Sequence, residues 1–298
     1  MDAEAARSLC SIRDLLRYAA SRFSAAQVAF GHGTDNGYDE AAYLILHTLH
    51  LPLDRLEPFL DARLLPSEIE RVLQIIERRV VERVPAAYLT HEAWLGDYRF
   101  YVDERVIVPR SHLAGLIEHG LQAWLPDPDR VGRALDLCTG SGCLAIVVAL
   151  TFVNAEVDAI DISAEALQVA SRNVTDYGLQ HRIRLLQSDL FAGLQAQRYD
   201  LIVSNPPYVS REEMRELPAE YRHEPALALD GGADGMDLVR AILARARDHL
   251  APAGVIVIEI GNGREAFEAA FPALEATWLE TSAGGDQVCL LEREQLQA

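Results

Sequence analysis

Through the first ninety or so residues, apolar positions recur at the spacing of a helix face. Ile12, Leu15, Leu16, Ala19 and Phe23 form one such stripe and predict an amphipathic helix. A breaker-rich run follows, Gly31-His32-Gly33-Thr34-Asp35-Asn36-Gly37, after which Asp35 or Asn36 can cap a second helix through Ala41, Leu44, Ile45 and Leu49. A third helix follows Pro66, with Ile69, Val72, Leu73, Ile76 and Val80 inward and Glu70, Arg71, Glu77 and Arg78 outward. Ser67 with Glu70 is expected to form its capping box. His32, His47 and His50 read as surface or core-edge side chains.

From Pro85 the period changes. The stretch 94–102 alternates about Gly96-Asp97, as a hairpin does. Val106-Ile107-Val108-Pro109-Arg110 is expected to end a further strand, and Ser111 to cap a helix from His112 to Trp124. Pro126-Asp127-Pro128-Asp129 then breaks the chain. Beyond it, apolar strand-like runs at 134–137, 156–162, 183–187, 200–204 and 255–260 alternate with helical stretches at 143–150, 164–177 (capped by Ser163), 237–250 and 265–271. The segments 273–279 and 287–291 read as a closing antiparallel pair. Alternation of this kind predicts an α/β fold, a doubly wound parallel sheet with helices on both faces. The expected organisation is a helical domain at 1–90, a hairpin and helix at 91–132, and an α/β domain at 133–298.

The fourth strand-like run stops at Asn205-Pro206-Pro207-Tyr208. Neither proline can donate to a ladder, and each restricts the residue before it, so the tetrapeptide is a stiff loop. It lies at the carboxyl end of a strand, where open α/β sheets bind ligands. An ordinary strand-ending turn would look the same locally. The chemistry that suits such a loop is methylation of a planar NH2 group. The Asn205 side-chain oxygen and the Pro206 carbonyl can accept its two N–H bonds, and Tyr208 can lie against its plane.

Three further strand ends carry polar signals. The turn Asp136-Leu137-Cys138-Thr139-Gly140-Ser141-Gly142-Cys143 brings backbone N–H groups close to a ligand, with Asp136, Thr139, Gly140, Ser141 and Gly142 as candidate contacts. It has neither the third glycine of a dinucleotide fingerprint nor the lysine of a P-loop. Asp161 ends the second run, where a carboxylate can accept ribose hydroxyls. Asp189 follows the third and can accept from an adenine amino group, with Ile162 and Leu190 on either side of the ring. Together with Asn205 these point to a nucleoside cofactor without phosphates.

Composition narrows the partners. The chain has 27 basic and 45 acidic residues, a net charge of −18, which disfavours a general grip on nucleic acid backbone and favours a basic partner. Cys10, Cys138, Cys143 and Cys289 form no CxxC pair and no zinc ligand set, so no metal is expected. The acidic start, Met1-Asp2-Ala3-Glu4, does not read as a signal peptide. No apolar run reaches membrane-spanning length. A cytoplasmic protein is expected.

With these motifs the chain resembles the protein N(5)-glutamine methyltransferases of the class I fold, over nearly its whole length. The resemblance implies an N-terminal helical domain, a hairpin linker, a Rossmann-like domain that uses S-adenosylmethionine, and an Asn205-Pro206-Pro207-Tyr208 loop that holds a glutamine side chain. Arg110 and Glu224 are further candidate substrate contacts. The segment 224–232 reads either as a loop beside the substrate or as a turn-rich connector. Two branches of the family differ in target: the GGQ glutamine of peptide-chain release factors, or a glutamine of large-subunit ribosomal protein L-three. Cys138 and Cys143 stand where the release-factor branch has glycine and alanine. Ala86-Ala87-Tyr88-Leu89-Thr90, Glu92-Ala93-Trp94 and Phe30 to Asn36 look like the ribosomal-protein branch. His112-Leu113 departs from the proline and isoleucine expected after Pro109-Arg110-Ser111. The resemblance thus implies a basic ribosomal protein as partner, selected by the N-terminal helices and the hairpin. Methylation of an adenine amino group in nucleic acid is the rival chemistry, and a non-catalytic cofactor-fold module the rival class.

Overall fold

The computed structural model describes residues 3–119, 121–194, 197–282 and 284–296; Met1 and Asp2 of the acidic start lie outside them. The chain divides into two compact units, Met1–Ala93 with Pro218–His223, and Trp94–Leu217 with Glu224–Ala298.

The first unit is helical: α1 (Ala3–Ser8), α2 (Ile12–Ala25), α3 (Gly37–Thr48), α4 (Pro66–Glu77) and α5 (Ala86–Thr90). Ser11 caps α2 in a reciprocal box with Asp14, and the Asn36 side chain caps α3 by accepting from the Tyr38 and Asp39 N–H groups. The cap expected on α4 is different. Pro66 takes the first helical position, where its missing N–H costs nothing. Leu65 therefore becomes the cap residue, and Glu68 rather than Glu70 accepts from its N–H at 2.8 Å. The apolar stripes of α2, α3 and α4 meet in one core. His32, expected near the surface, is buried: the ring of Tyr221 lies 4.5 Å away between centroids.

Beneath that core lies an ionic cluster that helical periodicity did not show. Arg79 is fully buried just past the end of α4. It donates to Glu40 (2.7 Å), to Glu220 (3.2 Å) and to the Ala29 carbonyl (2.6 Å). Arg83 reaches Glu220 at 3.3 Å, and Glu220 also accepts from the Ala29 N–H.

The predicted hairpin, β1 (Ala93–Leu95) and β2 (Tyr98–Phe100), turns through Gly96 at φ 58° and belongs to the second unit from Trp94 on. The strand expected to end at Val106 to Arg110 does not form. Val106 and Val108 are buried, but the Val108 N–H is spent on the Glu224 carboxylate and Pro109 has none to offer. The helix expected to reach Trp124 is shorter, α6 (Leu113–Glu118). Gly120 lies outside the described residues, and Leu121 is left-handed at φ 48°, which no α-helix accommodates.

A seven-stranded sheet follows: β3 (Arg133–Leu137), β4 (Glu156–Asp161), β5 (Ile183–Gln187), β6 (Tyr199–Ser204), β7 (Leu250–Glu259), β8 (Thr277–Trp278) and β9 (Val288–Glu292), in the order β5-β4-β3-β6-β7-β9-β8. The first five are parallel. The sheet is mixed, closing on the expected antiparallel pair: β9 pairs antiparallel with β8 and also with β7. The connecting helices are α7 (Cys143–Thr151), α8 (Ala164–Asp176), α9 (Glu213–Glu216), α10 (Asp237–His249) and α11 (Arg264–Ala270). Apolar side chains of α6 and α7 cover one face of the sheet, and those of α10 and α11 the other. Strand order reverses between β3 and β6, so a crevice opens at their carboxyl ends.

Candidate active site

The glycine turn after β3 is anchored from below. Asp136 is fully buried; its Oδ2 accepts from the Thr139 hydroxyl (2.6 Å) and the Ala145 N–H (3.0 Å), which ties the turn to the start of α7. Burial pushes the Asp136 carboxyl up to about 7 against those two donors, with the negative charge of Asp161 adding to the rise. A Cβ on Gly142, at φ 79°, would come within 3.2 Å of the Ala170 Cβ on α8. Only glycine lets these elements approach so closely.

Asp161, at the end of β4, lies across this turn. Its Oδ2 accepts from the Gly140 N–H and its Oδ1 from the Ser163 N–H, both at 2.9 Å. Each oxygen keeps a lone pair for an outside donor. Burial raises its pKa, and those backbone donors oppose the rise.

A cavity of about 210 Å³ opens above, far more than one or two ordered waters occupy (~10–15 Å³ each on this measure). Of the sequence-predicted residues, Gly140, Asp161, Ile162, Asp189, Leu190, Asn205 and Pro207 line it. Ile162 is half exposed, and Leu190 sits in the left-handed region at φ 45°. Asp136, Thr139, Ser141 and Gly142 are buried off the lining and shape the turn instead. Cys138, which sequence reasoning noted only as a substitution, also lines the cavity, at φ 62°. The lining suits a nucleoside that carries positive charge: acceptors at Asp161 and Asp189, apolar side chains at Ile162 and Leu190. Among the described residues no cluster of metal-ligating side chains occurs, and no helix is long and apolar enough to cross a membrane.

Asn205 and Tyr208 are half-buried and Pro206 and Pro207 are buried; Pro206 and Tyr208 lie off the cavity lining. The Ser204 hydroxyl donates to the Leu137 carbonyl at 2.8 Å, so the ends of β6 and β3 are stitched together where the loop begins. Arg110 and Glu224, expected at the substrate, are paired with each other: Glu224 Oε1 accepts from Arg110 Nη1 (2.5 Å) and the Val108 N–H (2.9 Å), and Oε2 from Arg110 Nη2 (2.7 Å). Neither lines the cavity, and the fork of Arg110 engages both oxygens of the Glu224 carboxylate. The segment after Glu224 does line it, through Pro225, Leu227, Ala228 and Asp230. It is bonded to the loop by Val209 N–H to Leu229 O (2.9 Å) and Gly231 N–H to Val209 O (2.8 Å).

Sequence reasoning missed Glu259. It ends β7, is 2 % exposed, and its Oε2 accepts from the Ser111 hydroxyl (2.6 Å) and the His112 N–H (2.9 Å). Its Oε1 faces the Tyr208 hydroxyl at 3.4 Å. Burial raises its pKa, opposed by Ser111 and His112. A single charge within the apolar run 255–260 was the signal.

Comparison with known proteins adds an independent line. Residues 119–220 match the family model of the methyltransferase small domain. The ribosomal protein uL3 glutamine methyltransferase of Bordetella pertussis is 62% identical over 290 residues, covering 97% of either chain. That of Burkholderia pseudomallei is 61% identical over 295 residues, covering 97% of this chain and 96% of the relative. Among solved structures, the hMettl16 catalytic domain in complex with MAT2A 3'UTR hairpin 1 aligns with a TM-score of 0.51 at 15% identity, over 93% of this chain and 90% of that one. That likeness speaks for the fold alone.

Proposed function

Since the chain belongs to the ribosomal protein uL3 glutamine methyltransferases, we propose that it acts in the cytoplasm and transfers a methyl group from S-adenosylmethionine to the side-chain amide nitrogen of a glutamine in uL3. The observation that carries this reading is that Asn205 lines the same cavity as Asp161 and Asp189, in a chain so similar to these enzymes end to end.

When bound, S-adenosylmethionine supplies a methyl group already activated on a sulfonium that leaves as a neutral thioether, so attack needs no strong base and the amide proton is lost to solvent afterwards. Asp161 accepts the ribose hydroxyls with the lone pairs left over from Gly140 and Ser163. Asp189 accepts from the adenine amino group, and Ile162 and Leu190 flank the ring. An amide nitrogen is a poor nucleophile because its lone pair is delocalised. The Asn205 oxygen and the Pro206 carbonyl accept its two N–H bonds and return electron density to nitrogen, while Tyr208 lies against the amide plane. Acceleration comes from positioning and from preorganised acceptors. The helical first unit is the surface proposed to select the protein substrate.

Replacing Asp161 by alanine is expected to weaken S-adenosylmethionine binding about ten- to a hundredfold, through the loss of hydrogen bonds to a charged acceptor. Unchanged affinity in calorimetric titration of the folded variant would remove Asp161 from the ribose role.

The substrate assignment is tested with labelled cofactor on uL3, a release factor and a DNA duplex. Label on a uL3 glutamine is the expected result; preferential label on the release factor or on adenine overturns it. The same assay has a salt dependence. The second unit carries 30 acidic and 16 basic residues, so most of the −18 sits with the cavity. Encounter with a basic protein is then electrostatically steered. The rate at low uL3 concentration should fall several-fold between about 50 and 300 mM salt as screening sets in; a flat profile would mean that charge does not guide this encounter.

A further inference from the structure

We propose that Glu259 is a positioning residue that acts through Tyr208, holding the ring at the angle at which it meets the substrate amide. The inference rests on the role given to Tyr208 above.

A carboxylate on a strand tip amid apolar neighbours loses its hydration, and that cost is tolerated only where donors replace the water. Here the donors come from two directions. Ser111 and His112, at the start of α6, hold Oε2, and Ser111 is itself fixed because its oxygen accepts from the Leu113 N–H at 3.2 Å. The remaining oxygen is thereby aimed at the Tyr208 hydroxyl. Their separation of 3.4 Å is long for such a bond, as contacts in catalytic sites often are before substrate tightens them.

The backbone and one side of the ring of Tyr208 are already confined. A Cβ on Gly231 would stand 2.7 Å from the Tyr208 Cα, and one on Gly235 would stand 2.3 Å from its carbonyl oxygen, so the backbone lies directly on that glycine loop. A Cβ on Gly261, at φ 52°, would stand 2.5 Å from Tyr208 Cε2, so the ring rests on bare backbone two residues after Glu259. Backbone, ring face and hydroxyl are each referenced to a rigid element. A group that must meet a planar amide within about 10–20° needs such support. The hydroxyl therefore matters as a handle, although it does no chemistry.

The test is a double-mutant cycle on the full-length enzyme with uL3. Tyr208→Phe is expected to lower kcat roughly tenfold. Glu259→Gln should lower it three- to fivefold, since its single carbonyl oxygen stays with Ser111 and His112 and an NH2 then faces Tyr208. The double variant should be no slower than Tyr208→Phe alone, the non-additivity of residues acting as one unit. Gly261→Ala, which displaces the ring without touching the carboxylate, should also lower kcat. In all of them the S-adenosylmethionine Kd should stay within about twofold of wild type, which a general loss of structure would not allow. Multiplicative losses in the double variant overturn the proposal. So does wild-type kcat in Tyr208→Phe, which decides the matter even if Glu259→Gln does not fold. Wild-type enzyme that leaves uL3 unlabelled defeats the functional reading itself, an outcome distinct from either.

Discussion

Asn205→Ala is expected to cut turnover about a hundredfold or more, the scale of losing one preorganised polar group in a site (~2.7–4 kcal/mol), while leaving cofactor affinity near wild type. The asymmetry follows from what surrounds the residue. The Gly140 N–H ties the glycine turn to Asp161, the Ser163 N–H fixes the same carboxylate, and Asp136 anchors the turn from beneath. None of these bonds passes through Asn205. The end of β6 is held by Ser204 and Leu137, and two buried prolines follow, so alanine at 205 leaves the loop standing and removes one acceptor. Single-turnover methylation of uL3, alongside calorimetric titration of S-adenosylmethionine, separates the two effects. A near-normal single-turnover rate would end the amide-clamp reading. A large loss of affinity would move Asn205 from the substrate to the cofactor.

The second large effect is on stability and belongs to the first unit. Arg79→Met is expected to cost about 3–5 kcal/mol, the range for breaking a buried ion pair from one side. Arg79 and Glu40 are fully buried and Glu220 is 2 % exposed. Removing the guanidinium takes from Glu40 its ion-pair partner in a low-dielectric interior, leaves Glu220 with only Arg83 and the Ala29 N–H, and leaves the Ala29 carbonyl without this donor. Lysine should rescue little, since one ammonium cannot reproduce a fork that reaches three acceptors in different directions. Scanning calorimetry should show the loss in the unfolding of the helical unit, with S-adenosylmethionine binding retained by the other. A variant as stable as wild type would mean that the cluster contributes no net energy.

Local patterning explains which parts were legible. The stripe from Ile12 to Phe23, the Asn36 cap, the Gly96 turn and the parallel strands are all signals carried by neighbours within a few residues. Asp161 and Asn205 were legible for the same reason, since each stands where an apolar run ends. What failed depends on partners far away in sequence. Val106 to Arg110 has the composition of a strand, yet Glu224, more than a hundred residues on, takes the N–H that a ladder would need. Arg110 and Glu224 were read as separate candidate substrate contacts, because nothing local in the sequence pairs two residues 114 positions apart. Arg79 sits at a position periodicity would leave unremarked, and its partner Glu220 is 141 residues further along. The α4 cap was misassigned for a local reason: the tolerance of proline for the first helical position shifts the box by two residues.

The six residues Pro218–His223 carry an evolutionary consequence. They belong to the helical unit, although in the gene they lie between the codons for the Asn-Pro-Pro-Tyr loop and those for the segment from Pro225 to Asp230 that lines the cavity. A cassette encoding only residues 1–93 would therefore leave Arg79 and Arg83 without Glu220, and a foreign methyltransferase body would have to bring its own acidic residue on a matching insertion. Exchange of the helical unit between lineages is disfavoured by this arrangement. The two units should then be inherited together.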